Sequence, residues 1–106
     1  MTNPIANQVV EITTFRLNDG VEDTAFLALS PAITEFAQAQ PGFIRRFLTQ
    51  SEDGVWMDYV HWATLEDAQA AQAAFPQQPQ LGPLMAMIDP TSLTMDHQAL
   101  MDMAAA

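Results

Sequence analysis

Cysteine is absent from this 106-residue chain, and so is lysine. Without a thiol there can be no disulfide, no Cys-ligated zinc, no iron–sulfur cluster and no thiol nucleophile. Basic side chains are scarce as well. The three present are all arginines, Arg16, Arg45 and Arg46, against 13 acidic residues, for a net charge of −10. Nucleic-acid binding needs a cationic footprint; this chain instead repels phosphate backbones and anionic lipid surfaces, and its charge favours solubility. No apolar run is long enough to cross a bilayer. Residues 1–8 lack the basic and apolar regions of a signal peptide, so the expected location is the cytoplasm. No Gly-rich phosphate loop, G-x-S-x-G elbow or H-E-x-x-H pair occurs, which removes the nucleotide-binding, serine-hydrolase and zincin readings.

What is there is an apolar fraction of 49%, typical of a globular chain. Its length allows one domain spanning 1–106, with 1–8 as an N-terminal extension and 101–106 as a tail. Residues 9–17 alternate as a β-branched strand, with Val10, Ile12 and Thr14 on one side and Val9, Glu11, Thr13 and Phe15 on the other. Residues 22–40 place Phe26, Leu29, Ile33 and Phe36 on one helical stripe, and Pro31 within this segment is expected to kink or split it. Thr64 caps a second helix over 65–75, with Asp67 in the position of a capping-box acid. A Pro/Gln loop follows at 76–83, then one helical turn near 84–88, and a last strand over 91–100 carrying Leu93, Met95 and His97 on one face.

Between the helices, 43–50 and 55–62 flank Asp53-Gly54, a strong hairpin signal. A two-residue turn pairs Glu52 with Val55 and sets Arg46 opposite His61, Leu48 opposite Tyr59 and Arg45 opposite Trp62. In that register, Arg46, Leu48, Met57, Tyr59 and His61 share one face. Phe43, Arg45, Phe47, Trp56, Asp58, Val60 and Trp62 share the other. Both faces then hold large apolar groups, so both are expected to be covered. The order strand, helix, hairpin, helix, strand, with right-handed crossovers, predicts an α+β, ferredoxin-like β-α-β-β-α-β sandwich. Two helices cover one sheet face, and a second copy of the chain is the economical cover for the other.

Pro41-Gly42-Phe43, the run Asp58-Tyr59-Val60-His61-Trp62-Ala63-Thr64 and Met87-Ile88-Asp89-Pro90 resemble the antibiotic-biosynthesis-monooxygenase-like proteins of the dimeric α/β barrel superfamily. Trp62, at the end of strand three before the helix cap, carries most of that likeness. The resemblance implies a homodimer packed through its sheet faces, a pocket between sheet and helices in each subunit, and cofactor-independent oxygenation of an aromatic or polyketide-like molecule. Its haem-degrading branch uses a helical histidine, a tryptophan and a strand-one asparagine. Helix two here has neither His nor Trp and strand one has no Asn, so neither haem nor any other cofactor is expected.

The candidate catalytic residues are Glu11, His61 and His97. The ferredoxin-like order sets strand one between strands three and four, so these three can cluster, with a neutral imidazole taking a phenolic proton. The same three formally make a two-His, one-carboxylate metal set, but three separate strands give no spacing signature and no metal is expected. Tyr59, Arg46, Trp62, Met85 and Met87 are the candidate substrate-binding residues: a phenol and a guanidinium for a carbonyl or phenolate, an indole wall, and adaptable methionines at an entrance. Each has a structural alternative: hydrogen-bonded histidines, an ion-paired arginine, a packed tyrosine ring and core-filling methionines. A non-catalytic small-molecule binder or structural dimer is the alternative function.

Overall fold

The computed structural model describes residues 5–106, so half of the expected N-terminal extension lies outside the described residues. Four strands, β1 (Val9–Phe15), β2 (Phe43–Gln50), β3 (Trp56–Trp62) and β4 (Thr94–Ala99), form one antiparallel sheet in the order β2-β3-β1-β4. Helices α1 (Asp23–Gln38) and α2 (Leu65–Ala74) and the short α3 (Gly82–Met85) complete the ferredoxin-like α+β arrangement. No helix among the described residues is long and apolar enough to cross a membrane.

The stripe expected on the first helix is the one that packs. Phe26, Ile33 and Phe36 are buried and Leu29 is partly so. Pro31 does not split α1, which runs unbroken through it. The residue is exposed, so the hydrogen bond its missing N–H forfeits lies on the wet side of the helix. At the start of α2 the Thr64 hydroxyl accepts from the Asp67 backbone N–H at 3.0 Å, satisfying one of the orphan donors of the first turn. Ala68 and Ala71 are buried beneath this helix. The expected Pro/Gln loop is more ordered than its composition suggests: two 3-10 turns, Phe75–Gln77 and Pro79–Leu81, lead into α3. The helical turn expected at 84–88 therefore begins two residues earlier. Another 3-10 turn, Pro90–Ser92, takes the first residues expected of β4, which starts at Thr94.

The hairpin closes differently from the two-residue turn read from the sequence. Ser51 and Val55 close it, with Ser51 N–H donating to Val55 O at 2.8 Å and Gly54 N–H to Ser51 O at 3.0 Å. The loop therefore has three residues, Glu52, Asp53 and Gly54, and Gly54 takes the left-handed φ of 87° that such a loop needs at its last position. The register moves by one. Arg46 now pairs with Val60, Leu48 with Asp58, Phe47 with Tyr59 and Arg45 with His61. A one-residue slip exchanges the faces of a whole strand. A bulge between Phe43 and Arg45 shifts the register once more, so Phe43, and not Arg45, stands opposite Trp62.

The helix-facing side of the sheet therefore carries Val9, Glu11, Thr13 and Phe15 from β1, Asp58, Val60 and Trp62 from β3, and Arg46 and Leu48 from β2. Phe15, Phe26 and Trp56 form an aromatic knot at one end, with ring centroids 5.0–6.4 Å apart. Phe43 stands edge-on to Trp62 at the other. The side away from the helices carries Arg45, Phe47, Met57, Tyr59, His61, Val10 and Ile12.

Arg46 is drawn into the layer between sheet and α1. Its guanidinium donates from Nε to Asp58 Oδ1 at 3.0 Å and from one terminal nitrogen to Asp58 Oδ2 at 2.8 Å. The other terminal nitrogen donates to the hydroxyls of Ser30 and Thr34, one turn apart on α1. Both charged side chains are nearly buried, at 7% and 12% exposure. Removing one partner strands the other charge in a dry site. Arg46→Ala is expected to lower unfolding stability by about 3–5 kcal/mol, whereas Arg46→Met combined with Asp58→Leu should recover most of the loss. Urea midpoints of the three proteins measure both effects.

Candidate active site

A cavity of about 150 Å³ opens between the helix-facing side of the sheet and the three helices. Its walls are mostly apolar, with Phe26, Ile33, Phe36 and Phe75 from the helical side and Val60 and Trp62 from the sheet. Met85, Leu93 and Met95 line it as well and are 39–43% exposed, which makes them its mouth. An apolar hole of this volume accommodates one aromatic ring, and larger ring systems require the flexible methionine mouth to open.

Four polar side chains reach this cavity: Glu11, Thr13, Asp58 and Gln72. Strand alternation explains the first three. Glu11 and Thr13 point the same way as the core residues Val9 and Phe15, two polar positions inside an otherwise apolar period of two. Glu11 lies directly opposite His97 on β4, and its Oε2 is 2.8 Å from His97 Nε2. Burial pushes the Glu11 carboxyl above its ordinary range, and the nearby Asp58 charge adds to this. The hydrogen bond and charge interaction with His97 work the other way and leave a net rise. A carboxylate with a raised pKa is the stronger base.

Trp62 is buried, and its indole N–H has no hydrogen-bond partner among the described residues. Buried donors without partners are uncommon, and this one belongs to a residue that lines the cavity. Trp62 follows Val60 by two positions on β3, and Val60 is the direct partner of Glu11. A hydrogen-bond acceptor and an unused donor thus stand diagonally across two strands, on the same side of the sheet.

The candidate residues divide between the two faces. Glu11, His97, Arg46 and Trp62 lie on the helix-facing side, and Met85 joins them at the cavity mouth. His61 does not. Its strand partner is Val10, its ring nitrogen Nε2 lies 2.7 Å from Gln8 Oε1, and it is buried on the opposite face. Burial, and then the charge of Arg45, lower its pKa. The expected cluster of Glu11, His61 and His97 therefore does not form, and neither does the metal-ligand set built from it. Among the described residues no group of three or more His, Asp or Glu could hold a metal ion. Arg46 does not face His61, because the hairpin slip takes it to Asp58. Tyr59 lies on the His61 side, its ring 5.8 Å from that of Phe47. Met87 packs against the core without lining the cavity. Asp58 and Gln72 were not singled out from the sequence. Asp58 was legible only through the right hairpin register, and nothing in its local pattern marked Gln72.

Solved structures with this architecture cover nearly the whole chain. The cofactor-independent oxygenase SnoaB from Streptomyces nogalater superposes with a TM-score of 0.69 at 20% identity, over 94% of this chain and 97% of its own. The fold is that of the antibiotic-biosynthesis monooxygenases. The ActVA-Orf6 monooxygenase of Streptomyces coelicolor, solved in complex with Nanaomycin D, superposes with a TM-score of 0.73 at 17% identity, over 98% and 96%. Rv0793 from Mycobacterium tuberculosis does so with 0.65 at 18%, over 92% and 99%. No family model matches the chain, and no curated protein matches it in sequence. Identities this low speak for the fold, so the chemistry has to come from the residues present.

Because burial raises the Glu11 pKa, the folded protein holds this proton to higher pH than the unfolded chain does. Glu11 then costs no stability well below its ordinary pKa of 4.5 and costs progressively more as pH rises from there to its folded pKa. Glu11→Gln should match wild type in urea midpoint in acid and exceed it near neutral pH. The difference should open in the window just above 4.5.

Proposed function

We propose that this chain is a cofactor-independent oxygenase of hydroxylated aromatic or polyketide-like small molecules, working as a homodimer. One observation carries the reading: a desolvated carboxyl, Glu11, faces an apolar cavity that also holds the unpartnered N–H of Trp62. SnoaB, with the same fold, is a cofactor-independent oxygenase, and the ActVA-Orf6 monooxygenase structure holds the ligand Nanaomycin D.

The chemistry asks little of the protein. Glu11 takes the proton of a phenolic hydroxyl, and His97, hydrogen-bonded behind it, holds the carboxyl in place. The phenolate is electron-rich enough to reduce dioxygen directly, and a ring carbon conjugated to it gains a C–O bond. The peroxide anion so formed takes a proton, and the hydroperoxide then breaks its O–O bond as the same carbon gives up its hydrogen, leaving a carbonyl and releasing water. In sum, the phenolic O–H, one ring C–H and O₂ become two C=O groups and H₂O, with all four electrons supplied by the substrate. In this reading the Trp62 N–H donates to a substrate oxygen, and the apolar walls keep bulk water from the phenolate.

Dioxygen uptake with a panel of hydroquinones and anthrones tests this reading. Glu11→Gln should slow uptake by about 10²–10⁴-fold, while His61→Ala, on the other face, should retain it. Loss of uptake in His61→Ala with Glu11→Gln unimpaired would move the base to the opposite face.

The dimer rests on the sheet face away from the helices. Phe47 is 52% exposed there, beside Tyr59 and Met57, and an apolar sheet surface is a natural site for a second copy. Light scattering should give about twice the 11.7 kDa chain mass for wild type. Phe47→Glu should shift the mass towards that of one chain while far-UV circular dichroism stays unchanged.

A further inference from the structure

Among the described residues, the cavity is lined by acceptors and by neutral donors, Trp62, Thr13 and Gln72, but by no free cation, and that restricts what can enter it. Arg46 is the one arginine on the helix-facing side of the sheet, and its guanidinium is spent on both oxygens of Asp58 and on the hydroxyls of Ser30 and Thr34. Arg45 lies on the opposite face, paired in register with His61. Arg16 is exposed at the hairpin, where it donates to the Asp53 carbonyl at 2.6 Å. The chain has no lysine. His97, the remaining group able to carry positive charge nearby, has its Nε2 on Glu11 and does not line the cavity. Two carboxyl groups do line it.

We infer that the site takes uncharged phenols and hydroquinones and rejects their carboxylated counterparts, with Glu11 and the Arg46–Asp58 pair as its specificity determinants. This rests on the reading of the cavity as the substrate site and adds the substrate class. A neutral hydroxylated ring satisfies what the walls offer: its O–H donates to Glu11, its carbonyl or second oxygen accepts from the Trp62 N–H, and its ring fills the apolar space. A substrate carboxylate would lose its hydration without gaining a cationic partner, and would do so beside groups of its own sign. A guanidinium free to bond both oxygens is the side chain over-represented where a carboxylate is recognised. Here the guanidinium of Arg46 is already paired with the cavity-lining carboxylate of Asp58.

Binding of 1-naphthol and of 1-hydroxy-2-naphthoate, followed by tryptophan fluorescence near neutral pH, tests the inference without requiring turnover. The naphthol should bind and the naphthoate should bind at least about tenfold more weakly, a difference of about 1.4 kcal/mol. Glu11→Gln, which leaves the Arg46–Asp58 pair intact, should narrow that gap. Asp58→Asn, which releases the Arg46 guanidinium, should close or invert it. Equal or tighter binding of the naphthoate to wild type would overturn the substrate class while leaving the cavity reading standing. Failure of both compounds to bind would overturn the cavity reading, and the inference with it. Should Asp58→Asn not fold, the Glu11→Gln comparison decides alone, and an unchanged gap there counts against the inference.

Discussion

A guanidinium taken out of water must be met on every side, and Arg46 is met on every side. Asp58 takes two of its nitrogens and the first and last residues of one turn of α1 take the third. The pair is an expensive way to join a helix to a sheet, since desolvation offsets most of the Coulombic gain. What it secures is position. The bond network works only if β2 runs in the observed register against β3 and α1 lies with Ser30 and Thr34 over that spot. Sliding either element by one residue would leave a buried charge alone. The three-residue loop at 52–54 and the bulge near Phe43 are the backbone devices that meet this requirement, one at each end of β2.

The cavity inherits its electrostatics from that arrangement. Asp58 lines it, and an unpaired Asp58 would add a second full negative charge beside Glu11. Held by Arg46, it contributes a smaller push on the Glu11 carboxyl than burial does. Glu11 in turn keeps a partner, His97, that favours its charged form. The result is a carboxyl held between two opposing influences, burial that raises its pKa and His97 that favours its charged form, with a net rise. An acidic chain without lysine thus has a site whose chemistry depends on how its few cations are occupied.

Much of this architecture was legible in the sequence because it rests on periodicities. The stripe of Phe26, Ile33 and Phe36, the alternation of β1 and the Thr64 cap follow from local geometry alone, and right-handed connections then leave few topologies. The strand order alone sets Glu11 on the strand beside that of His97. The faces of β2 were not legible, because Asp-Gly suits a two-residue turn and also the end of a three-residue one. Ser51, whose hydroxyl accepts from the Val55 N–H at 3.1 Å, helps to select the longer loop. That single residue moved Arg46 from His61 to Asp58. The separation of His61 from Glu11 had a different origin: it follows from the parity of β1 against β3, since Val10 and not Glu11 is the partner of His61.

The two histidines therefore belong to different surfaces, and each surface gives its histidine different surroundings. His97 sits at the sheet edge against a carboxylate and stays partly accessible, with 20% of its side chain exposed. His61 is buried against Gln8, and the charge of Arg45 disfavours its protonation. A group held neutral in this way destabilises the fold when pH falls below 6.5, where the unfolded chain takes up the proton more readily. On a sheet face that a second copy would cover, a neutral imidazole costs far less to bury than a charged one. The same sheet thus separates the hydrogen-bonded Glu11–His97 pair on its helix side from a largely apolar surface, carrying Arg45 and His61, on the other. β1 belongs to both, with Glu11 turned to the cavity and Val10 and Ile12 to the open face, so packing on one side bears on the geometry of the other.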